Sequence, residues 1–201
     1  MKILKLQERN PNERYIAMAA DALRNGDIII YPTDTLYAVG CDALNNSAIL
    51  KVCKRKNINP EKTHLSIVCD SISMASEYAR FNDQQFKMLR RNLPGPFTFV
   101  FPSSLSLPKV FKGRKTVGIR IPNNQIAISL VRELGRPILS TTIEYADEDY
   151  AVNPDLIAET YAETAIYLLD GGEGGIVPST VVDCINDTPK ILREGKGELQ
   201  Y

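Results

Sequence analysis

Short apolar runs alternate with segments of helical periodicity, and this alternation is the feature that most limits the fold of the chain. β-Branched runs such as DIII at 27–30 are short enough to be buried strands. The segments between such runs repeat apolar residues every three or four positions, as amphipathic helices do. Three predicted strands crowd towards the C-terminal end, so the alternation is not strict. The pattern predicts an α/β fold with a twisted mixed parallel and antiparallel sheet flanked by helices.

The boundaries of these elements follow from capping and breaking residues. Asn10 and Pro11 suit a helix start, and Gly26 and Gly135 suit helix ends. We predict strands near 27–31, 36–41, 65–69, 97–101, 116–122, 137–142, 165–170, 179–184 and 190–195. We predict helices over 10–26, 45–56 (capped by Asn45 or Asn46), 73–80, 82–92, 123–135 and from 153 onwards, with an acidic loop at 143–152.

Length and composition indicate one folded domain over residues 1–201. Hydrophobic residues make up 44% of the chain, which is enough for a substantial core. No apolar run approaches the roughly 20 residues of a membrane span. The apolar patch at the start of the sequence is too short for a signal peptide. A cytoplasmic location without membrane association is therefore expected. The oligomeric state is left open.

Cysteine, histidine and charge content disfavour several kinds of site. The cysteines are scattered without a C-x-x-C pair, which predicts buried free thiols; they are Cys41, Cys53, Cys69 and Cys184. The single histidine, His64, disfavours a Ser-His-Asp triad and histidine-based metal sites. Lysine and arginine equal aspartate and glutamate at 24 each, which argues against a chain that is basic all over.

The stretch YPTDTLYAVG at 31–40 interrupts two predicted strands with a polar turn. Pro32 has no amide hydrogen, so regular strand pairing is expected to end there. Thr33, Asp34 and Thr35 then supply two hydroxyls and a carboxylate. Such side chains either close the turn on its own backbone or face a ligand, and these residues alone do not decide between the two.

Polar side chains recur at the predicted strand and helix ends. They are Thr33, Lys54, Lys56, His64, Thr116, Arg120, Ser140, Thr142, Ser179 and Arg193. Ligands of open α/β sheets bind at strand ends. Cations and hydroxyls without an acidic metal cluster suit a polyanion such as a nucleotide triphosphate.

Each of these features also has a purely structural interpretation. Lys54 and Lys56 end a helix, where cations complement the dipole, and taken alone this interpretation is favoured. Arg120 lies among apolar neighbours and needs an anionic partner, which is either a ligand or an internal carboxylate. The glycine-rich segment 170–180 is favoured as a flexible connection over an anion-binding loop. No P-loop and no G-x-G-x-x-G motif is present.

Taken in order, these segments resemble the YrdC domain family, the threonylcarbamoyl-AMP synthases, and most closely its YciO branch. The likeness covers about residues 10–195 and rests on YPTDTLYAVGCDA, KRK (54–56), PGPFTFVF, TVGIRIP, PILSTT, PSTVVD and REG. It implies a twisted mixed sheet with a positively charged concave cavity. It also implies a reaction that joins L-threonine, bicarbonate and ATP with Mg²⁺ into L-threonylcarbamoyl-adenylate and pyrophosphate. The product feeds threonylcarbamoylation of adenosine at position 37 of tRNAs.

The resemblance assigns roles to the polar residues. Its catalytic positions are Lys54, Lys56 and Arg120. Its ATP contacts are Lys54, Lys56, Thr116, Ser140, Thr142 and Arg193. Its contacts with threonine, or a similar small amine, are Thr33, His64, Arg120 and Ser179. It implies no resident metal ion.

The chain departs from the family's motifs at two positions, so catalysis itself is left open. The arginine of the family's K-x-R motif is Lys56 here, which keeps the charge but loses the bidentate fork. The S-x-N motif reads Thr142-Ile143-Glu144, and an ionised glutamate only accepts hydrogen bonds. Near a triphosphate, Glu144 needs Mg²⁺, a proton or an orientation away from the cavity.

Two other functions are compatible with the same residues. A non-catalytic member of the fold could hold double-stranded RNA or tRNA by its phosphates. A related enzyme could make a carbamoyl-adenylate from another amine, with Glu144 tolerated or selected for that substrate.

Overall fold

The strands of this protein pair into one mixed sheet. The computed structural model describes residues 1–60, 62–104, 106–112, 115–144 and 147–201. Within these residues ten strands have the spatial order β1-β8-β2-β3-β7-β4-β6-β5-β9-β10. They are β1 (Lys2–Lys5), β2 (Ile29–Tyr31), β3 (Ala38–Asp42), β4 (Ser66–Val68), β5 (Phe97–Pro102), β6 (Thr116–Arg120), β7 (Ile138–Thr142), β8 (Tyr167–Asp170), β9 (Thr180–Asp183) and β10 (Lys190–Arg193).

Parallel and antiparallel pairs are mixed throughout the sheet. β8 runs parallel to β1 and β2, β4 runs parallel to β6, and β5 runs parallel to β9. The remaining neighbours, such as β3 with β7 and β5 with β6, are antiparallel. The predicted fold class, a mixed sheet flanked by helices, is confirmed.

Helices cover both faces of the sheet and create two hydrophobic cores. They are α1 (Glu13–Arg24), α2 (Asn46–Arg55), α3 (Ile72–Tyr78), α4 (Asp83–Asn92), α5 (Gln125–Leu134), α6 (Glu148–Val152) and α7 (Pro154–Thr160), with a short 3₁₀ helix at Lys109–Lys112. One core joins α1 and α5 to the sheet, and the other contains apolar residues of α2, α3, α4 and α7. Ile29 and Tyr31 enter the first core, and Ile30 enters the second. This explains why β2 is an uninterrupted apolar run, because both of its faces are buried.

Most helix ends lie where the capping residues predict them. The Asn45 side chain accepts a hydrogen bond from the Ala48 amide at 3.1 Å and caps α2. Gly135 ends α5 in the left-handed conformation, with φ of 73°. The predicted cap of the first helix is wrong by two residues: Asn12, not Asn10, accepts hydrogen bonds from the amides of the first turn.

One strand and one α-helix were not predicted, and neither was the 3₁₀ helix at Lys109–Lys112. The N-terminal strand β1 is absent from the prediction, because a run as short as KILK becomes a strand only through its pairing with β8. The predicted acidic loop at 143–152 contains α6, which begins because Asp147 accepts a hydrogen bond from the Tyr150 amide. Residues 145 and 146 of that segment lie outside the described residues.

The four cysteines are free and buried, as their spacing predicted. Burial raises the pKa of each of these thiols, most strongly for Cys41 and Cys69. They are therefore protonated, unreactive parts of the core at neutral pH. Among the described residues, no helix combines the length and the apolar character that a membrane crossing requires.

Candidate functional site

The candidate site lies on one face of the central strands, and the register of the sheet creates it. Ser66 on β4 is paired with Ser140 on β7 and with Gly118 on β6, and Gly118 is paired with Val100 on β5. Directly paired residues project to the same face of a sheet, so this row forms a floor. Gly118 has no side chain there, and a Cβ at that position would lie 2.5 Å from Ser66 Oγ. The glycine therefore leaves room above the sheet.

A cavity of about 200 Å³ occupies this room. Among the predicted residues, its lining includes His64, Arg120, Ser140, Thr142, Ser179 and Arg193. Ser66, Thr98 and apolar side chains such as Val52 and Val181 complete the wall. The fold thus brings together hydroxyls and two arginines that are far apart in the sequence.

Arg120 is the most constrained charged residue of the cavity. Its side chain is only 8% exposed, and its Nη2 lies 3.3 Å from Asp34 Oδ1 and 3.0 Å from Thr35 Oγ1. Its Nε is buried without a hydrogen-bond partner among the described residues. Burial lowers the pKa of Arg120, and the nearby Asp34 carboxylate opposes this change. An internal carboxylate therefore balances the charge, while one donor of the guanidinium is left over.

The turn after β2 closes on itself and supports Arg120. Thr33 Oγ1 accepts a hydrogen bond from the Thr35 amide at 3.1 Å and donates to the Leu36 carbonyl at 2.7 Å. Thr33 Oγ1 also lies 3.0 Å from Thr35 Oγ1, the group that Arg120 contacts. Asp34 Oδ2 accepts from the Asn123 amide at 3.0 Å. Thr33 is not among the described residues that line the cavity. Its hydrogen bonds stabilise the turn whose residues Asp34 and Thr35 contact Arg120.

Tyr31 orients the hydroxyl of Ser140. Its Oη donates a hydrogen bond to Ser140 Oγ at 2.8 Å. Burial raises the pKa of Tyr31 to about 12, so the phenol remains a donor. Because Ser140 accepts this bond, its own proton is available to another acceptor. This role of Tyr31 was not predicted from the sequence, although a buried tyrosine hydroxyl usually has a hydrogen-bond partner.

Ser179 and Arg193 form the opposite side of the cavity. Arg193 donates to the Ser179 carbonyl from Nη2 at 2.8 Å and from Nε at 3.2 Å. Ser179 Oγ lies 2.9 Å from Thr98 Oγ1, and both residues are buried. Thr98 also lines the cavity and was not predicted from the sequence. It lies between phenylalanines in a strand, and this pattern gives no sign of a polar cavity.

Three other predicted residues are not among the described lining residues, and two of them, Thr116 and Lys56, contact lining residues at what we call the rim. His64 Nδ1 and Thr116 Oγ1 are 2.8 Å apart. Lys56 Nζ donates to the Thr142 carbonyl at 2.8 Å and lies 3.1 Å from Glu144 Oε1. Lys54, by contrast, is exposed in the last turn of α2 and is not among the described lining residues.

A larger cavity, of about 690 Å³, lies beyond the ends of β4 and β6. Its lining includes Asp70, Asn123 and Arg132, and it contains none of the predicted site residues. Arg132 lies 3.7 Å from Asp70 there. The smaller cavity is the better candidate, since it gathers buried hydroxyls around a buried cation. The described residues hold no group of three or more histidine, cysteine, aspartate or glutamate side chains suited to a metal ion.

Comparison of the sequence with known proteins gives related chains over nearly its full length. The model of the Sua5/YciO/YrdC family, described as "Telomere recombination", matches residues 21–195. An uncharacterised protein of Haemophilus influenzae is 35% identical over 196 residues, which is 96% of this chain and 94% of that protein. The threonylcarbamoyl-AMP synthase of Bacillus subtilis is 32% identical over 94% of this chain, but the match covers only 55% of the synthase.

Solved structures show the same architecture. Escherichia coli YciO superposes with a TM-score of 0.91 at 32% identity, covering 98% of this chain and 97% of that one. Pyrococcus abyssi Sua5 in complex with L-threonine superposes with a TM-score of 0.87 at 30% identity. That match covers 97% of this chain and 58% of Sua5. The chain thus spans a little over half the length of the Bacillus subtilis synthase and of Pyrococcus abyssi Sua5.

Proposed function

This chain belongs to the Sua5/YciO/YrdC family, and we propose on that premise that it acts as an L-threonylcarbamoyl-adenylate synthase in tRNA modification. The substrates would be L-threonine, bicarbonate and ATP with Mg²⁺, and the products threonylcarbamoyl-AMP and pyrophosphate. A relative that carries the name threonylcarbamoyl-AMP synthase and a Sua5 structure that contains L-threonine support this proposal.

The buried Arg120 is the observation that carries the proposal. An unsatisfied buried donor costs about 1–3 kcal/mol, and a ligand carboxylate would supply the missing acceptor. Charge-assisted bonds from a guanidinium to a carboxylate are among the stronger hydrogen bonds in proteins. The surrounding hydroxyls of Ser140 and Ser179 suit the amine and hydroxyl of a small amino acid.

The cavity is large enough for an amino acid but too small to enclose a nucleotide as well. Its volume of about 200 Å³ is below the range of about 300–1,000 Å³ that is usual for drug-sized ligands. An amino acid therefore suits the interior, and a nucleotide would extend to the rim. Arg193 lies in the cavity lining and Lys56 contacts the carbonyl of the lining residue Thr142, and we expect both to meet the phosphates.

The chemistry places few demands on protein acids and bases. The amine of threonine attacks bicarbonate or CO₂ to give a carbamate, with loss of water or a proton. A carbamate oxygen then attacks the α-phosphorus of ATP, and the bond to pyrophosphate breaks. Positioning of the two substrates would come from Arg120 and His64, with Thr33 acting through the turn that it closes.

Stabilisation of the phosphate charge would come from the rim. Lys56 and Arg193 are close enough to the cavity wall for this role, whereas Lys54 would have to act from the exposed end of α2. In this proposal the nucleotide contacts are completed by Thr116, Ser140 and Thr142, and the threonine contacts by Ser179.

Pyrophosphate exchange into ATP tests the proposal directly. Exchange should require both L-threonine and bicarbonate, and Arg120→Lys should weaken it because the amine cannot reproduce the guanidinium fork. Arg132→Lys, in the larger cavity, is the matched control and should leave exchange unchanged. If neither nucleotide binding nor exchange occurs in the intact chain, the proposal is wrong. Exchange that depends on another amine instead of threonine would establish the related carbamoyl-adenylate chemistry.

RNA binding stays a separate prediction of the sequence. The observation in its favour is the exposed Lys54 beside the cavity wall, at the end of α2. Binding of a tRNA or an RNA duplex by phosphate contacts should weaken steeply as salt is added. RNA binding with that salt dependence, and without exchange activity, would favour the non-catalytic function.

A further inference from the structure

The pairing of Lys56 with Glu144 has a consequence for which nucleotides the site accepts. Lys56 Nζ lies 3.1 Å from Glu144 Oε1, and it also donates to the Thr142 carbonyl at 2.8 Å. The Lys56 side chain is 7% exposed, whereas the Glu144 side chain is 60% exposed. Thr142 lines the cavity, so the ammonium contacts a residue of the cavity wall.

The backbone of Glu144 is held in place independently of this pair. Its amide donates to the hydroxyl of Tyr161 at 2.6 Å, and Tyr161 is buried. The preceding residue, Ile143, is buried in the core. The carboxylate is therefore presented to Lys56 from a fixed part of the fold, and it is not brought there by a chance side-chain contact on an open surface.

This arrangement weakens the attraction that Lys56 offers to a ligand of high negative charge. Two of the three donors of its ammonium are already used, one by a carboxylate with a full negative charge. A phosphate chain that approaches the rim meets a nearly neutral pair instead of a free cation. The attraction that a free ammonium would offer grows with the number of ligand charges, so its neutralisation by Glu144 costs a triphosphate more than a monophosphate ester.

We propose that Glu144, by pairing with Lys56, is a specificity-determining residue that favours nucleoside monophosphates and acyl-adenylates over free nucleoside triphosphates in this cavity. This rests on the proposed nucleotide site and states which charge class of nucleotide that site prefers. Specificity is a difference between affinities, and here it comes from cationic attraction that the pair withholds most from the ligand with the most charges.

The preference is measured as the ratio of the dissociation constants of ATP and AMP, determined by calorimetry on the full chain without Mg²⁺ at constant ionic strength. We expect Glu144→Gln to tighten ATP by about tenfold and AMP by less than about threefold, since only ATP carries the additional charges. Glu148→Gln is the matched control: it removes the same charge from an exposed acid of α6. It should leave the ratio unchanged.

A second background separates pairing from general repulsion. If Glu144 acts by occupying Lys56, Glu144→Gln should change the ratio by less than about threefold in a Lys56→Gln chain, since coupled residues are not additive. A tenfold change that persists in that background overturns the proposed pairing mechanism. A role of the pair in folding alone would lower the thermal midpoint of the variants without altering the ratio, and that result also overturns the proposal.

The two proposals fail in different ways. If AMP and ATP bind to wild type with a ratio that Glu144→Gln leaves unchanged, the inference about Glu144 is wrong and the synthase proposal stands. If neither nucleotide binds to any variant, the nucleotide site itself is wrong, and both proposals fall together.

Discussion

The buried pair of Arg120 and Asp34 shows how single residues define this site. The sequence indicated that Arg120 needs an anionic partner but left open whether it is a ligand or a carboxylate. The structure supplies the carboxylate and still leaves Nε without a partner among the described residues. Sequence reasoning could not provide this result, because Asp34 reaches Arg120 only through the folded turn.

Asp34→Asn tests how strongly this pair holds the fold. Removing one partner of a buried pair leaves an uncompensated charge and costs about 3–5 kcal/mol. We expect a loss of that size in the free energy of unfolding, measured by urea denaturation. Asp21→Asn is the control, since Asp21 pairs with Arg24 at the surface, where an exposed pair contributes about 0–1 kcal/mol. Equal losses in the two variants would contradict the assignment of Arg120 and Asp34 as a buried pair.

The raised pKa of Tyr31 should make the free energy of unfolding depend on pH in alkaline solution. Burial raises its pKa from 10.0 to about 12 in the folded state. The folded protein therefore keeps the phenol proton that the unfolded chain loses, so stability falls as the pH rises from about 10 to 12. The shift corresponds to about 3 kcal/mol. The free energy of unfolding of Tyr31→Phe should fall less over that range, and an identical slope for both proteins would contradict the assignment.

At the scale of elements, the strands were the most predictable part of the chain. The runs of β2 and β6 are buried along their whole length and are mostly apolar and β-branched. Their composition alone therefore indicated strands. Strand β1 and helix α6 were not predicted because each depends on partners or caps that local apolar patterning does not reveal. The polar lining was partly predictable from strand ends, whereas Thr98 lies within a strand whose other face is aromatic.

Gly118 on β6 leaves the space that the cavity occupies above the sheet. A Cβ there would lie 2.5 Å from Ser66 Oγ and 3.0 Å from Thr98 Cγ2. We expect Gly118→Ala to lower the free energy of unfolding by about 1–3 kcal/mol, because overpacking forces neighbouring side chains from their positions. Adding Ser66→Ala removes the closest atom and should recover part of that loss. A double variant no more stable than Gly118→Ala, measured by the same urea denaturation, would show that the contact does not limit this position.

At the scale of the whole molecule, the site depends on strands that are neighbours in space but not in sequence. β7 lies between β3 and β4, and β5 lies between β6 and β9. This order could not be read from the sequence, since alternation gives the elements and not their neighbours. The family resemblance implied a twisted mixed sheet without its strand order, and the superposition on YciO confirms that fold class. The positive charge expected of the cavity stays a prediction.

The C-terminal residues contact parts of the molecule that are far apart in the sequence. The Gln200 amide donates to Asn92 Oδ1 at 2.9 Å, and Asn92 Nδ2 donates back to the Gln200 carbonyl at 2.7 Å. Thr180 Oγ1 donates to the Gly197 carbonyl at 2.6 Å. Lys196 Nζ donates at 2.7 Å to the carbonyl of Asp34, the partner of Arg120. The segment therefore joins α4, β9 and the turn at Asp34.

Deletion of residues 196–201 should consequently disturb both stability and the site. The buried Asn92 would lose its partners on Gln200, and an unsatisfied buried polar group costs about 1–3 kcal/mol. We expect a loss of at least that size in urea denaturation, together with weaker ligand binding, because the turn that carries Asp34 loses its contact with Lys196. Deletion of Tyr201 alone is the control, since that residue is 71% exposed. Lys196→Met should weaken ligand binding with little change in stability, because Lys196 is exposed and contacts the turn through one hydrogen bond. If ligand affinity is unchanged in both Lys196→Met and the deletion, the C-terminal segment stabilises the fold without supporting the site.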